Sequence, residues 1–213
     1  MTRSDWSGYS VASDLNNPQP KVTSVNASWA VPTVKVSVGN SFSAVWIGVG
    51  GQFDDTLIQT GTKQDSINGH AAYSAWYELL PDAAVTVDSL SISPGDRITA
   101  SISLFDLTTS TWLIEIHDVT DGQSFKKILV YDSSMLSAEW IVERPIINNR
   151  IATLANFGQI TFTDCTATIG GKLGTIRSFP STQFTLYNRR NIELVTASVL
   201  ASGGSSFAVN YLD

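Results

Sequence analysis

AEWIVE, residues Ala138 to Glu143, alternates in steps of two, with Ala138, Trp140 and Val142 on one side and Glu139, Ile141 and Glu143 on the other. Successive side chains of a strand point to opposite faces, so the stretch reads as a β-strand with one apolar face and one face carrying two carboxylates. A solvent-facing strand commonly carries Glu, so the pair fits an ordinary wet face as well as a site that needs acid.

The same period recurs along the chain. KVTSVNASWAV, FSAVWIGVG, AAYSAWYELL, RITASISLF, TWLIEIHDV, KKILVY, QITFTDCTATI, ELVTASVL and SFAVNYL are short, rich in β-branched and aromatic residues, and bounded by Gly, Pro, Asn or Asp. No window keeps the i, i+3, i+4, i+7 spacing of an amphipathic helix for three turns. SPGDRI, from Ser93, and VTDGQSF, from Val119, read as tight turns between neighbouring strands, whereas SFPSTQF, from Ser178, reads as a loop. The fold class is all-β, as two packed antiparallel sheets or a closed barrel. With 213 residues and no linker, a single domain over residues 1–213 is expected.

A hydrophobic fraction of 43% with 15% charged residues is too apolar for disorder, yet no run approaches the ~20 apolar residues of a membrane span. A formal charge of -6 without a basic stripe argues against nucleic acid as a partner. Cys165 is the single cysteine, cannot form an internal disulfide, and alternates with threonines like a packing residue. His70 and His117 are the only histidines, and Glu115 with His117 on one strand face is too few ligands for a zinc site. Neither a strand-to-helix GxSxG elbow nor an Asp-Thr/Ser-Gly triplet is present.

More informative are polar residues set into apolar strands. TLIQTG places Gln59 directly after Leu57 and Ile58, and SAWYELLPD places Glu78 between Tyr77 and Leu79. Gln and Glu are poor strand formers, so each needs a solvent face or a task. The neighbouring Trp and Tyr build a cleft wall as readily as a core.

Taken in order, SDWSGY, AVWIGVGG, LIQTG, SAWYELLPD, SISPGDRI and SAEWIVERP resemble the glutamic peptidases, the acid endopeptidases also called eqolisins, and ANFGQITFTDCTA extends the match. The resemblance implies a lectin-like (concanavalin A-like) β-sandwich of two curved antiparallel sheets with a Gln and Glu pair in the cleft of one sheet. By matching motifs the pair is Gln59 and Glu143. In that family the Glu acts as general base on a water, and the Gln helps bind that water and stabilise the tetrahedral intermediate, so the resemblance implies these roles for Glu143 and Gln59. Trp6, Trp46, Trp76 and Glu78 match positions around the substrate cleft, with Glu139 as a supporting carboxylate on the same face. Trp140 points away from both glutamates and is structural by alternation.

The resemblance further implies a pepstatin-insensitive acid protease that acts on protein or peptide substrates without a metal or other cofactor. Members are secreted and made with a removable propeptide, so Met1 is expected to mark a processing start. A monomer or an edge-mediated dimer both fit. Three positions depart from the family pattern: Gly50 replaces an Asp, Lys63 stands where an Asp is common, and Leu80 replaces a cleft Tyr. A non-enzymatic lectin-like sandwich that binds carbohydrate or peptide is the rival reading, because fold alone does not confer hydrolysis.

Overall fold

The period-two pattern folds as strands throughout. In a computed structural model that describes residues 5–148 and 150–212, they are β1 (Trp6–Ala12), β2 (Val22–Ala30), β3 (Ala44–Gly50), β4 (Leu57–Ile67), β5 (His70–Leu79), β6 (Val85–Thr86), β7 (Arg97–Asp106), β8 (Thr111–Asp118), β9 (Gln123–Val130), β10 (Ser137–Glu143), β11 (Ile146–Ile147), β12 (Arg150–Ile151), β13 (Gln159–Ile169), β14 (Lys172–Thr175), β15 (Ser181–Tyr187), β16 (Glu193–Ala197) and β17 (Phe207–Tyr211). Met1, the expected processing start, lies outside the described residues. The only helical element among them is a 3-10 turn, Ile176–Ser178. The expectation of a loop over SFPSTQF is therefore corrected, because β15 begins at Ser181. Pro180 misleads there: it sits just before the strand, where its missing N–H costs no ladder bond.

Antiparallel hydrogen bonding runs continuously through β6-β5-β4-β3-β10-β1-β15-β16-β17-β13-β2-β7-β8-β9, and β11-β12 form a separate ribbon. The path doubles back on itself. β2 packs on β3 and β10, β7 on β3 and β4, and β8 on β4, so the two antiparallel layers of a sandwich face each other. The layers are joined through β15, β16 and β17.

Between the layers lies the main core, in which Trp112, Trp140, Phe162, Ile47, Ile58 and Ile102 are fully buried. Trp140 enters it from β10 and donates its indole N–H to the Asn26 carbonyl of β2 at 2.8 Å, satisfying the polar end of a buried ring. The opposite face of the first layer carries a second apolar cluster of Trp6, Ala44, Trp46, Leu57, Trp76 and Ile141. A sheet buried on its outer face must be covered or must form a cleft, and here it forms the floor of one.

Candidate active site

Register decides which side chains share that floor. Glu143 pairs with Ala44 and Trp6, Ala44 pairs with Lys63, and Gln59 pairs with Glu78. Gln59 and Lys63 are four residues apart on β4, so Gln59, Lys63, Glu78, Glu143, Trp6, Trp46, Trp76 and Glu139 all project from one face. Close approach is possible because Gly61 stands between Trp46 and Trp76; a Cβ there would meet the Val45 carbonyl and the Trp46 backbone.

A cavity of about 520 Å³ opens on this face, lined among others by Gln59, Glu78, Glu143, Trp6, Trp76, Lys63, Asp65 and Leu80. Gln59 is 4% exposed and donates from Nε2 to Glu78 Oε2 at 2.5 Å, while its own Oε1 is buried without a hydrogen-bond partner. Burial raises the Glu78 pKa, and the Gln59 bond, the Lys63 charge and the Ala84 amide each pull it down.

Glu143 ends β10 and accepts the Trp46 indole N–H on Oε2 at 2.8 Å. Burial pushes its pKa up to about 8, the Asp5 and Glu78 charges add to the rise, and hydrogen bonds from Trp46 and Trp6 oppose it. Glu78 and Glu143 are thus electrostatically coupled across the cavity. Asp65, two residues beyond Lys63, is likewise raised, to about 6, by burial, against the Ser43 amide and the Lys63 charge. The Lys63 ammonium sits over the Trp76 ring, 5.3 Å from its centroid.

Of the residues expected from sequence, Gln59, Glu143, Trp6, Trp76 and Glu78 line the cavity, and Trp46 and Glu139 do not. Both of the latter are 0% exposed, which corrects the expectation that Trp46 borders the substrate cleft and puts Glu139, the supporting carboxylate, out of reach of substrate. Trp46 lies beneath the floor as the donor to Glu143. Glu139 is set between Ser10 and Gly48, and the segment after β3 folds over this row: Gln52 accepts from Ser10 at 2.6 Å and donates to Thr182 at 3.0 Å. Alternation gives the face of a residue and cannot give what a later loop lays over it.

Asp5, Phe42, Asp65 and the Pro145–Ile147 segment also line the cavity and were missed by sequence reasoning. Asp65 was within reach, since counting by two from Gln59 arrives at it. The others come from segments outside the long strands and carry no periodic signal. Cys165 is buried in the core, and burial holds its thiol well above the ordinary range, which leaves it a packing residue.

Gly50 explains one departure. Its φ is +92, and a Cβ there would meet the Thr56 carbonyl, so this backbone could carry the Asp found at that position in the pattern only under strain. Leu80 and Lys63, the other two departures, both line the cavity.

The Peptidase A4 family model matches residues 4–211. Aspergillopepsin-2 of Aspergillus niger is 33% identical over 134 residues, 61% of this chain and 47% of that protein. The chain therefore spans about half the length of this relative. Scytalidopepsin B of Scytalidium lignicola is 28% identical over 200 residues, 87% of this chain and 72% of that protein. A crystal structure of scytalido-glutamic peptidase with a transition state analog inhibitor superimposes with a TM-score of 0.81 over 100% of both chains at 22% identity, which shows the shared sandwich fold.

Proposed function

Because the chain belongs to the Peptidase A4 family, we propose that it is a glutamic endopeptidase that hydrolyses peptide bonds of proteins in acid, with Glu143 as the proton carrier and Gln59 as its partner. The observation that carries the reading is one cavity holding a Gln59–Glu78 pair and a Glu143 whose pKa is raised to about 8. Below that value Glu143 is mainly protonated, so the carboxyl brings a proton to the reaction as well as an acceptor.

Water adds to the scissile carbonyl carbon while one water proton passes to one Glu143 oxygen and the proton already on Glu143 passes to the carbonyl oxygen. The tetrahedral intermediate then collapses. Glu143 gives its proton to the leaving nitrogen as the C–N bond breaks, and a hydroxyl proton of the intermediate returns to Glu143. Acid and amine leave, and Glu143 ends as it began. The water-activating half of this cycle is the general-base step that the family resemblance implies.

Gln59 supports both ends of the step. Its unpartnered Oε1 can accept from the attacking water, and the Nε2 hydrogen that Glu78 does not take can meet the growing negative charge on the carbonyl oxygen. A donor in that position is worth about 3–4 kcal/mol of transition-state stabilisation. Glu78 fixes the amide in this orientation. The cycle calls on no cofactor, and an extracellular setting that supplies acid and unfolded protein suits it.

Incubation of an unfolded protein with this chain across about pH 2 to 7, with pepstatin present and new amino termini mapped, tests the reading. Internal cleavage that rises on acidification supports it. An inert protein that instead retains peptides or saccharides in the cleft contradicts it.

A further inference from the structure

Far from the cleft, two turns meet at one end of the second layer. SPGDRI brings Asp96 to the start of β7, and VTDG carries Asp118 and Asp121 between β8 and β9; the Ile98–Asp118 register sets the turns side by side. One carboxylate oxygen from each of Asp96, Asp118 and Asp121 lies within 4.8 Å of the others. Asp96 and Asp118 are 6% and 1% exposed, and both follow the inward parity of Ile98, whereas Asp121 is at the surface.

Three acids this close are common on turns and are no site by themselves. The second observation is a single atom. Asp118 Oδ1 accepts the amides of Thr120 at 2.9 Å and Asp121 at 3.3 Å, but Asp118 Oδ2 is sealed from solvent, and with both carboxyls ionised no donor reaches it. The Asp118 carboxyl is within hydrogen-bond reach of that of Asp96, a contact that can bond only when one of the two holds a proton, and Asp96 Oδ2 is tied to the Ser93 amide at 2.6 Å. A buried carboxylate oxygen lacking a donor is costly, and the two charged neighbours of Asp96 named by its electrostatics, Asp118 and Asp121, are both negative.

We propose that Asp96, Asp118 and Asp121 bind a hard divalent cation of the calcium class, which clips the turn before β7 to the β8–β9 turn. All three donors are carboxylate oxygens with no His or Cys among them, which suits calcium and is a poor match for zinc or copper. Exposed Asp121 gives the ion its entry path, and water completes the coordination on that side. The site serves stability, since it shares no residue with the lining of the cleft.

The test is thermal unfolding and calorimetric titration with Ca²⁺ after dialysis against chelator, at about pH 7, where isolated carboxyls are ionised. Calcium a hundredfold above its Kd is expected to raise Tm by about 5–10 °C for a chain of this size. Asp118→Asn and Asp121→Asn should each abolish the rise and the binding heat, and Asp88→Asn should keep both. Asn at 118 can donate to Asp96, so that variant has a route to folding without the ion; Asp121→Asn, at the surface, decides the matter if it does not fold. A parent indifferent to Ca²⁺, or variants that respond as the parent does, overturns the proposal and leaves two carboxyls sharing a proton.

Discussion

Glu143→Gln separates the cost of burying the Glu143 charge from its chemistry. The amide keeps the shape and can still accept the Trp46 N–H through its carbonyl, but it cannot ionise. A carboxyl with an ordinary pKa of 4.5 when unfolded and about 8 when folded binds its proton more tightly in the native state. Its stabilising contribution is therefore complete below 4.5 and is lost as pH rises through about 8. At 1.36 kcal/mol per pH unit the ceiling is about 5 kcal/mol, and water entering the open cavity reduces this to roughly 2–4 kcal/mol. Unfolding of the parent and variant should be followed by calorimetry from about pH 4 to 8.5. The variant is expected to gain on the parent as pH rises, by roughly 5–15 °C in Tm at the alkaline end. Tm curves that stay parallel across this range would refute the claim that Glu143 is held in a desolvated site.

Three further outcomes follow from the same geometry. Lys63→Met removes the positive charge that lowers both Glu78 and Asp65, so both pKa values should rise and the acid limb of kcat/KM should move to higher pH; an unmoved profile would mean the charge is screened. Trp46→Phe deletes the 2.8 Å bond to Glu143, and the loss of a hydrogen bond to the charged form, worth about 1.5–3 kcal/mol, should raise the Glu143 pKa by about one to two units, read from the variant's pH–rate profile or a carboxyl NMR titration. Gly50→Asp, which restores the family residue, should lower stability by about 1–3 kcal/mol because of its positive φ and the Thr56 carbonyl; a stable, more active variant in urea unfolding and cleavage assays would show that the turn can relax.

Much of the layering was legible in period two alone. AEWIVE divided correctly into a core side led by Trp140 and a cleft side led by Glu143. WSGYSVA, the strand β1, is buried on both faces, and its Ser7, Gly8 and Ser10 break the apolar alternation, so only the family motif drew attention to it. Gln59 and Glu78 each stood out as polar residues in apolar strands, but their direct opposition depends on the β4–β5 register, which a hairpin of ten residue pairs fixes and a sequence does not print. The full burial of Glu139, and the cavity wall from Pro145 to Ile147, depend on where loops return. Such long-range placement has no local signature in the chain.

The most direct measurement is hydrolysis of an unfolded protein near pH 3 to 4 by the parent, Glu143→Gln and Gln59→Ala, with each variant first checked to be folded. Loss of acid–base catalysis should lower kcat by about 10²–10⁴ in Glu143→Gln, and loss of the amide by about 10²–10³ in Gln59→Ala. A folded Glu143→Gln that cuts as the parent does would contradict the account, and the proton carrier would then have to be sought among Glu78 and Asp65 in the same cavity.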